Sequence, residues 1–139
     1  MNKEEILINP ITNEQIPYDL LLLSDDTIEA INKNLDKGEL FVAKINDEII
    51  ASFILKVIAV DSIEIKNIAV RENQQGKGIG TTLLSYITAN ATQRGFKKLL
   101  VGTCDRCDKE IEFYKKSGFK IVAIRENFFI DNYKSVLGN

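Results

Sequence analysis

A chain of 139 residues, 45% apolar and 27% charged, is long and apolar enough to bury one core without disulfide or metal staples, so a single domain, 1–139, is expected. Its formal net charge of -2 gives no general attraction to phosphate backbones, which sets nucleic acid aside as a partner. The absence of histidine removes Ser-His-Asp hydrolysis, Cys-His proteolysis and most zinc catalysis, each of which needs an imidazole.

The stretch from Met1 to Ile8 carries Lys3, Glu4 and Glu5 and too short an apolar run for a signal peptide or membrane span, so a cytoplasmic protein with no membrane partner is expected. After Pro10 and Pro17, Tyr18 to Leu23 is apolar. Asp25 and Asp26 then open Thr27 to Asp36, where Ile28, Ile31 and Leu35 recur at helical spacing, and two short helices are expected here. Lys37-Gly38 ends the second. Glu39 to Ile45 and Glu48 to Val60 are β-branched-rich runs joined by Asn46-Asp47, a hairpin-type turn. Asp61-Ser62 leads into a further strand, Ile63 to Val70. Gly78 to Arg94 places Ile79, Leu83, Leu84, Ile87 and Ala91 on one helical stripe, with Gly95 where a C-terminal cap belongs. Leu99 to Thr103 reads as a buried strand and Asp108 to Ser117 as a helix ended by Gly118. Phe119 to Ile124 and Asn127 to Tyr133 read as further strand.

In the strand Ile63 to Val70 the apolar phase changes: Ile63 and Ile65 are odd, Ile68 and Val70 even. A half-buried strand keeps one face inward through such a change only by bulging, so a β-bulge near Lys66-Asn67 is expected. A strand apolar on both faces is the other way to produce the same pattern.

The segment Arg71-Glu72-Asn73-Gln74-Gln75-Gly76-Lys77-Gly78-Ile79-Gly80-Thr81 connects this strand to the striped helix. Alternate glycines let backbone amides converge on a ligand, and the helix N-terminus adds partial positive charge, which suits an anion such as pyrophosphate. Lys77 adds a full charge. Gly78 stands where a P-loop needs Ser or Thr, and Thr81 where a dinucleotide fingerprint needs its third glycine, so neither motif applies. Taken alone, the loop also fits a plain glycine-rich turn.

The pattern Val70, then Gln75-x-x-Gly78-x-Gly80 before a helix, resembles the acetyl-CoA signature of the GNAT superfamily of N-acetyltransferases. Phe113-Tyr114-Lys115-Lys116-Ser117-Gly118-Phe119 is similar to that family's second signature, and the two stand in the family's order. The resemblance covers Glu39 to about Tyr133; the N-terminal third shares only two helices before a meander. It implies an α/β (α+β) fold with a mixed, mostly antiparallel central sheet, splayed between its fourth and fifth strands and flanked by helices, with pantetheine in the splay. Ile68-Ala69-Val70 would hold pantetheine through the backbone, Ile68 and Val70 polarising the thioester. Gln75, Gly76, Lys77, Gly78, Ile79, Gly80 and Thr81 would bind the pyrophosphate. In many members the amine attacks the thioester directly, through a tetrahedral intermediate and without an acyl-enzyme, so the missing histidine is no obstacle. Tyr114 matches the position of a general acid for the departing thiolate, and Glu64 that of a glutamate that deprotonates the amine, often through water. Each has a plain reading: Tyr114 as core aromatic, Glu64 as a solvated strand residue.

Cys107 stands where many members place a pantetheine-contacting asparagine, with Asp105 or Asp108 as substitute helix caps. The chain beyond Tyr133 is short for a full last strand, which suggests an open acceptor side. Cys104-Asp105-Arg106-Cys107 also admits a dithiol oxidoreductase, although the only prolines, Pro10 and Pro17, lie far upstream of it. Two thiolates without histidine leave half a zinc shell unfilled, so no metal is expected. A third reading is a catalytically silent domain that binds CoA. The acceptor, a small-molecule amine or a protein amine, carries no motif; the net acidity favours a cationic one. A homodimer is left open.

Overall fold

In a computed structural model, the structure describes residues 5–104, 107–125 and 129–135, with side chains described at 5–102 and 107–119. In chain order the elements are β1 (Leu7–Pro10), α1 (Tyr18–Leu21), α2 (Ile28–Leu35), β2 (Glu39–Ile45), β3 (Glu48–Ala59), β4 (Ser62–Val70), a 3₁₀ turn (Glu72–Gln74), α3 (Ile79–Gln93), β5 (Lys98–Cys104), α4 (Asp108–Lys116), β6 (Lys120–Arg125) and β7 (Phe129–Ser135). This is the mixed, mostly antiparallel sheet flanked by helices that the sequence led one to expect. No described helix is long and apolar enough to cross a membrane.

The residues fall into two compact units, Met1–Lys56 with Lys66–Gly80, and Val57–Ile65 with Thr81–Asn139. In the first, β1 pairs antiparallel with β2 and β2 antiparallel with β3. The β2–β3 turn places Asn46 and Asp47 at positive φ (51° and 68°), the backbone that the favoured two-residue hairpin turn demands of both central residues. Phe41 and Phe53, directly opposite each other across the pair, stack at 4.9 Å. Leu21, Ile31, Leu40 and Ile54 form a buried cluster flanked by Ile11, Tyr18 and Leu35, so the short helices α1 and α2 are held by packing. Thr27 is the N-cap of α2, its Oγ1 accepting from the Ala30 N–H at 3.0 Å. Asp25 has a different task.

That task concerns β4. From Ile63 onward burial alternates along this strand without a break: Ile63, Ile65, Asn67 and Ala69 are buried, while Glu64, Lys66, Ile68 and Val70 are half-buried. The expected bulge at Lys66-Asn67 therefore finds no support in the facing of the side chains. Asn67 occupies the odd-numbered position where an apolar residue was looked for, and Ile68 and Val70 simply give the second half of β4 an apolar residue on its other face. Asn67 is only 2% exposed. Its Nδ2 donates to the Leu21 carbonyl at 3.0 Å and to Asp25 Oδ2 at 2.7 Å, and Asn34 Nδ2 donates to the same Asp25 oxygen at 3.2 Å. A polar side chain is tolerated inside because its buried amide N–H groups find two acceptors, although Asn67 Oδ1 finds no partner among the described residues. Asn67→Ala should lower unfolding stability by about 1–2 kcal/mol, the loss of two hydrogen bonds being partly offset by removal of the orphaned oxygen. A denaturant midpoint equal to the parent's would show that Asn67 fastens nothing.

In the second unit β4 pairs parallel with β5, Ser62↔Lys98 to Ile65↔Val101. The pairing stops there although β4 runs on to Val70 and β5 to Cys104. β7 pairs antiparallel with β5 from Lys98↔Ser135 to Cys104↔Phe129 and with β6 on its other edge. β7, which overlaps the strand expected at Asn127 to Tyr133, thus partners β5 along its whole length. On α3 the positions predicted from helical spacing, Leu83, Leu84, Ile87 and Ala91, are all buried, as are Ile63, Leu99, Val101, Phe96 and Phe119.

Candidate active site

Val70 ends β4, and the chain then makes the 3₁₀ turn before entering α3. The turn is closed by the Gln74 N–H on the Arg71 carbonyl (2.8 Å) and the Gln75 N–H on Glu72 (3.3 Å). Gln75 also reaches back, its Nε2 donating to the Val70 carbonyl at 2.9 Å. Gly76 and Gly78 follow with φ of 78° and 81°, a backbone that L side chains adopt only with strain. A Cβ at either would meet no atom within 4 Å, so the space beside the loop is open. Lys77 between them is exposed, its Nζ donating to Gln74 Oε1 at 3.4 Å. Ile79, Gly80 and Thr81 form the first turn of α3, where backbone N–H groups lack partners inside the helix and the dipole is positive. Open space, the N-terminal amides of α3 and a lysine together fit a pyrophosphate.

Glu64 is half-buried in the half of β4 that pairs with β5, opposite Leu100. It is not a fully solvated strand residue. Tyr114 lies on α4, 4% exposed, with its ring 5.2 Å from Phe113 and edge-on to Phe119 at 5.3 Å. Burial, and then the carboxylate of Glu110, push its phenol well above the ordinary value of 10. It stays protonated across the physiological range. Raised this way, the phenol contributes stability in full below about pH 10 and loses it progressively at higher pH, since the unfolded chain ionises first.

Cys107 is half-buried at the N-cap of α4, and its side chain makes no capping hydrogen bond. Asp108 is the first helical residue and so does not cap; with Glu110 it supplies negative charge to the first turn. Asp105, Arg106 and the side chain of Cys104 lie outside the described residues, as does the dithiol reading that needs them. Ile68, Ala69, Val70 and Gln75 to Gly80 fall in the first unit, and Glu64, Thr81, Cys107 and Tyr114 in the second.

Two residues of this region carry more than their spacing announced. Asn67 fastens the α1–α2 segment to β4, and its only sequence signal is a polar residue at a buried phase of the strand. Arg71, half-buried, donates from its backbone N–H to the Ile50 carbonyl (2.9 Å), from Nε to the Ile49 carbonyl (2.7 Å) and from Nη1 to Asp19 Oδ2 (2.9 Å). No spacing rule points to it.

Comparison with known proteins agrees with this geometry. The model of the acetyltransferase (GNAT) family matches residues 8–119. A Bacillus subtilis (strain 168) protein described as an uncharacterized N-acetyltransferase, YvbK, is 34% identical over 133 residues, spanning 96% of this chain and 85% of that one. Among solved structures, a GNAT family acetyltransferase from Elizabethkingia anophelis with acetyl-CoA bound is 38% identical with a TM-score of 0.92, over 96% of this chain and 99% of that one. A Bacillus subtilis acetyltransferase in complex with CoA is 29% identical with a TM-score of 0.83, over 97% of this chain and all of that one (100%).

Proposed function

The chain belongs to the GNAT acetyltransferase family and is an acyltransferase with acetyl-CoA as cosubstrate, and from that premise we propose that it acetylates a primary amine by direct attack. The observation that carries the reading is the pair of left-handed glycines, Gly76 and Gly78, with open space beside each at the entrance to α3. There Gln75 to Thr81 would hold the pyrophosphate by backbone N–H groups, with Lys77 adding charge. Ile68, Ala69 and Val70 would line pantetheine. Polarising a thioester carbonyl takes a donor, so the group that Val70 would offer is its N–H, while its carbonyl accepts from Gln75. Bound acetyl-CoA supplies the activated acetyl group.

Glu64 would take the proton of the incoming ammonium, directly or through a water. Tyr114 would serve the departing sulfur as general acid. Because its proton is held more tightly than that of an ordinary thiol, near pKa ~8.5, its first contribution is a hydrogen bond to the developing thiolate. Cys107 would stand beside pantetheine in place of the customary asparagine, offering a weaker donor.

The net charge of -2 mildly favours a cationic amine as acceptor. Continuous measurement of thiol release from acetyl-CoA over polyamines, aminoglycosides and lysine peptides tests the reading; amine-dependent release with a matching N-acetylated product is expected. CoA binding without release for any amine favours the silent-domain reading. Glu64→Gln should lower kcat/KM most on the acid side, where the amine most needs a base, and a pH profile parallel to the parent's would remove Glu64 from the mechanism.

A further inference from the structure

We infer that Arg71 is a positioning residue for acetyl-CoA: it fixes the pyrophosphate loop to the body of the first unit and so sets cofactor affinity. This rests on the reading of Gln75 to Thr81 as the cofactor loop. Four polar atoms of Arg71, its N, O, Nε and Nη1, make hydrogen bonds, three of them at the root of that loop. Its N–H extends the strand onto Ile50, its carbonyl closes the 3₁₀ turn by accepting from Gln74, its Nε bonds Ile49 and its Nη1 bonds Asp19 on α1. Ile50 is the residue that the β2–β3 register passes over, between Ala43↔Ala51 and Lys44↔Ile49, so the guanidinium holds the loop against an irregular point of β3.

The four bonds do not weigh equally. Asp19 is largely exposed, and although Arg71 lowers its pKa, an exposed ion pair contributes little. The bond to the half-buried Ile49 is the stronger one, a charged donor on a backbone acceptor at 2.7 Å. Downstream of Gln75 the loop is glycine-rich and exposed, so its orientation is set largely at its root.

Removing the guanidinium should therefore loosen the loop and weaken pyrophosphate binding while leaving pantetheine recognition by β4 in place. The experiment is calorimetric titration of the parent, Arg71→Ala and Arg71→Lys with CoA and with pantetheine, alongside their melting temperatures. Arg71→Ala should raise the Kd for CoA on the order of tenfold and leave that for pantetheine unchanged. Arg71→Lys should recover only part of the loss, because an ammonium cannot reproduce the planar donor fork. An equal loss for both ligands, or no loss for CoA, overturns the positioning role; if Arg71→Ala does not fold, Arg71→Lys decides alone by the same comparison. A parent protein that binds CoA no more tightly than pantetheine overturns the loop reading itself, which is a different failure.

Discussion

Gly78→Asp should abolish detectable binding of CoA. Gly78 sits at φ 81°, where an aspartate is strained, and its side chain would project into the open space beside the loop. There it would set a negative charge against the pyrophosphate. Two unit charges about 4 Å apart at a partly exposed site repel by roughly 4 kcal/mol at an effective dielectric of 20, which is near a thousandfold in affinity. Gly78→Ala separates the two effects: it carries the strain without the charge and should lose about tenfold or less, because no atom within 4 Å opposes its methyl group. Titration calorimetry distinguishes them. Equal losses for alanine and aspartate would mean that loop conformation, and not charge, governs the site.

Tyr114→Phe should lower kcat by about 10²-fold, the lower range for loss of a general acid, while CoA affinity stays near the parent value. The ring keeps its packing against Phe113 and Phe119, and removing a buried hydroxyl is expected to move the melting temperature little. The pH dependence gives a second reading. With its phenol held above 10 by burial and Glu110, Tyr114 remains the protonated donor throughout the neutral and mildly alkaline range, so no loss of kcat below pH 10 should trace to it. Full turnover by the phenylalanine variant would mean that water serves the leaving thiolate and that Tyr114 is core packing.

Much of this architecture could be read from local pattern. The stripe on α3 gave its buried face residue by residue, and Asn46-Asp47 gave the β2–β3 hairpin, because helical period and left-handed turn propensity are properties of neighbouring residues. The glycines of the loop were legible for the same reason. β1 was not: Leu7–Pro10 is a short edge strand, mostly exposed and ending in proline, so it carries no alternation to detect. Asn67 misled in a different way. Its polarity looked like a change of strand phase, whereas it is a buried fastener whose partners, Leu21 and Asp25, lie more than forty residues away in sequence. Arg71 was passed over likewise, since Ile49, Ile50 and Asp19 become its partners only when the chain folds.

The measurement that bears most directly on the account is thermal unfolding of the parent protein with increasing acetyl-CoA. A ligand that binds only the folded loop stabilises it by mass action, about 2.7 kcal/mol at a hundredfold excess over Kd, which for a chain of this size is a rise of several degrees. That rise, growing with concentration and lost in Gly78→Asp, is the predicted result. An unchanged melting temperature up to the order of a millimolar acetyl-CoA would contradict the assignment of Gln75 to Thr81 as the cofactor site.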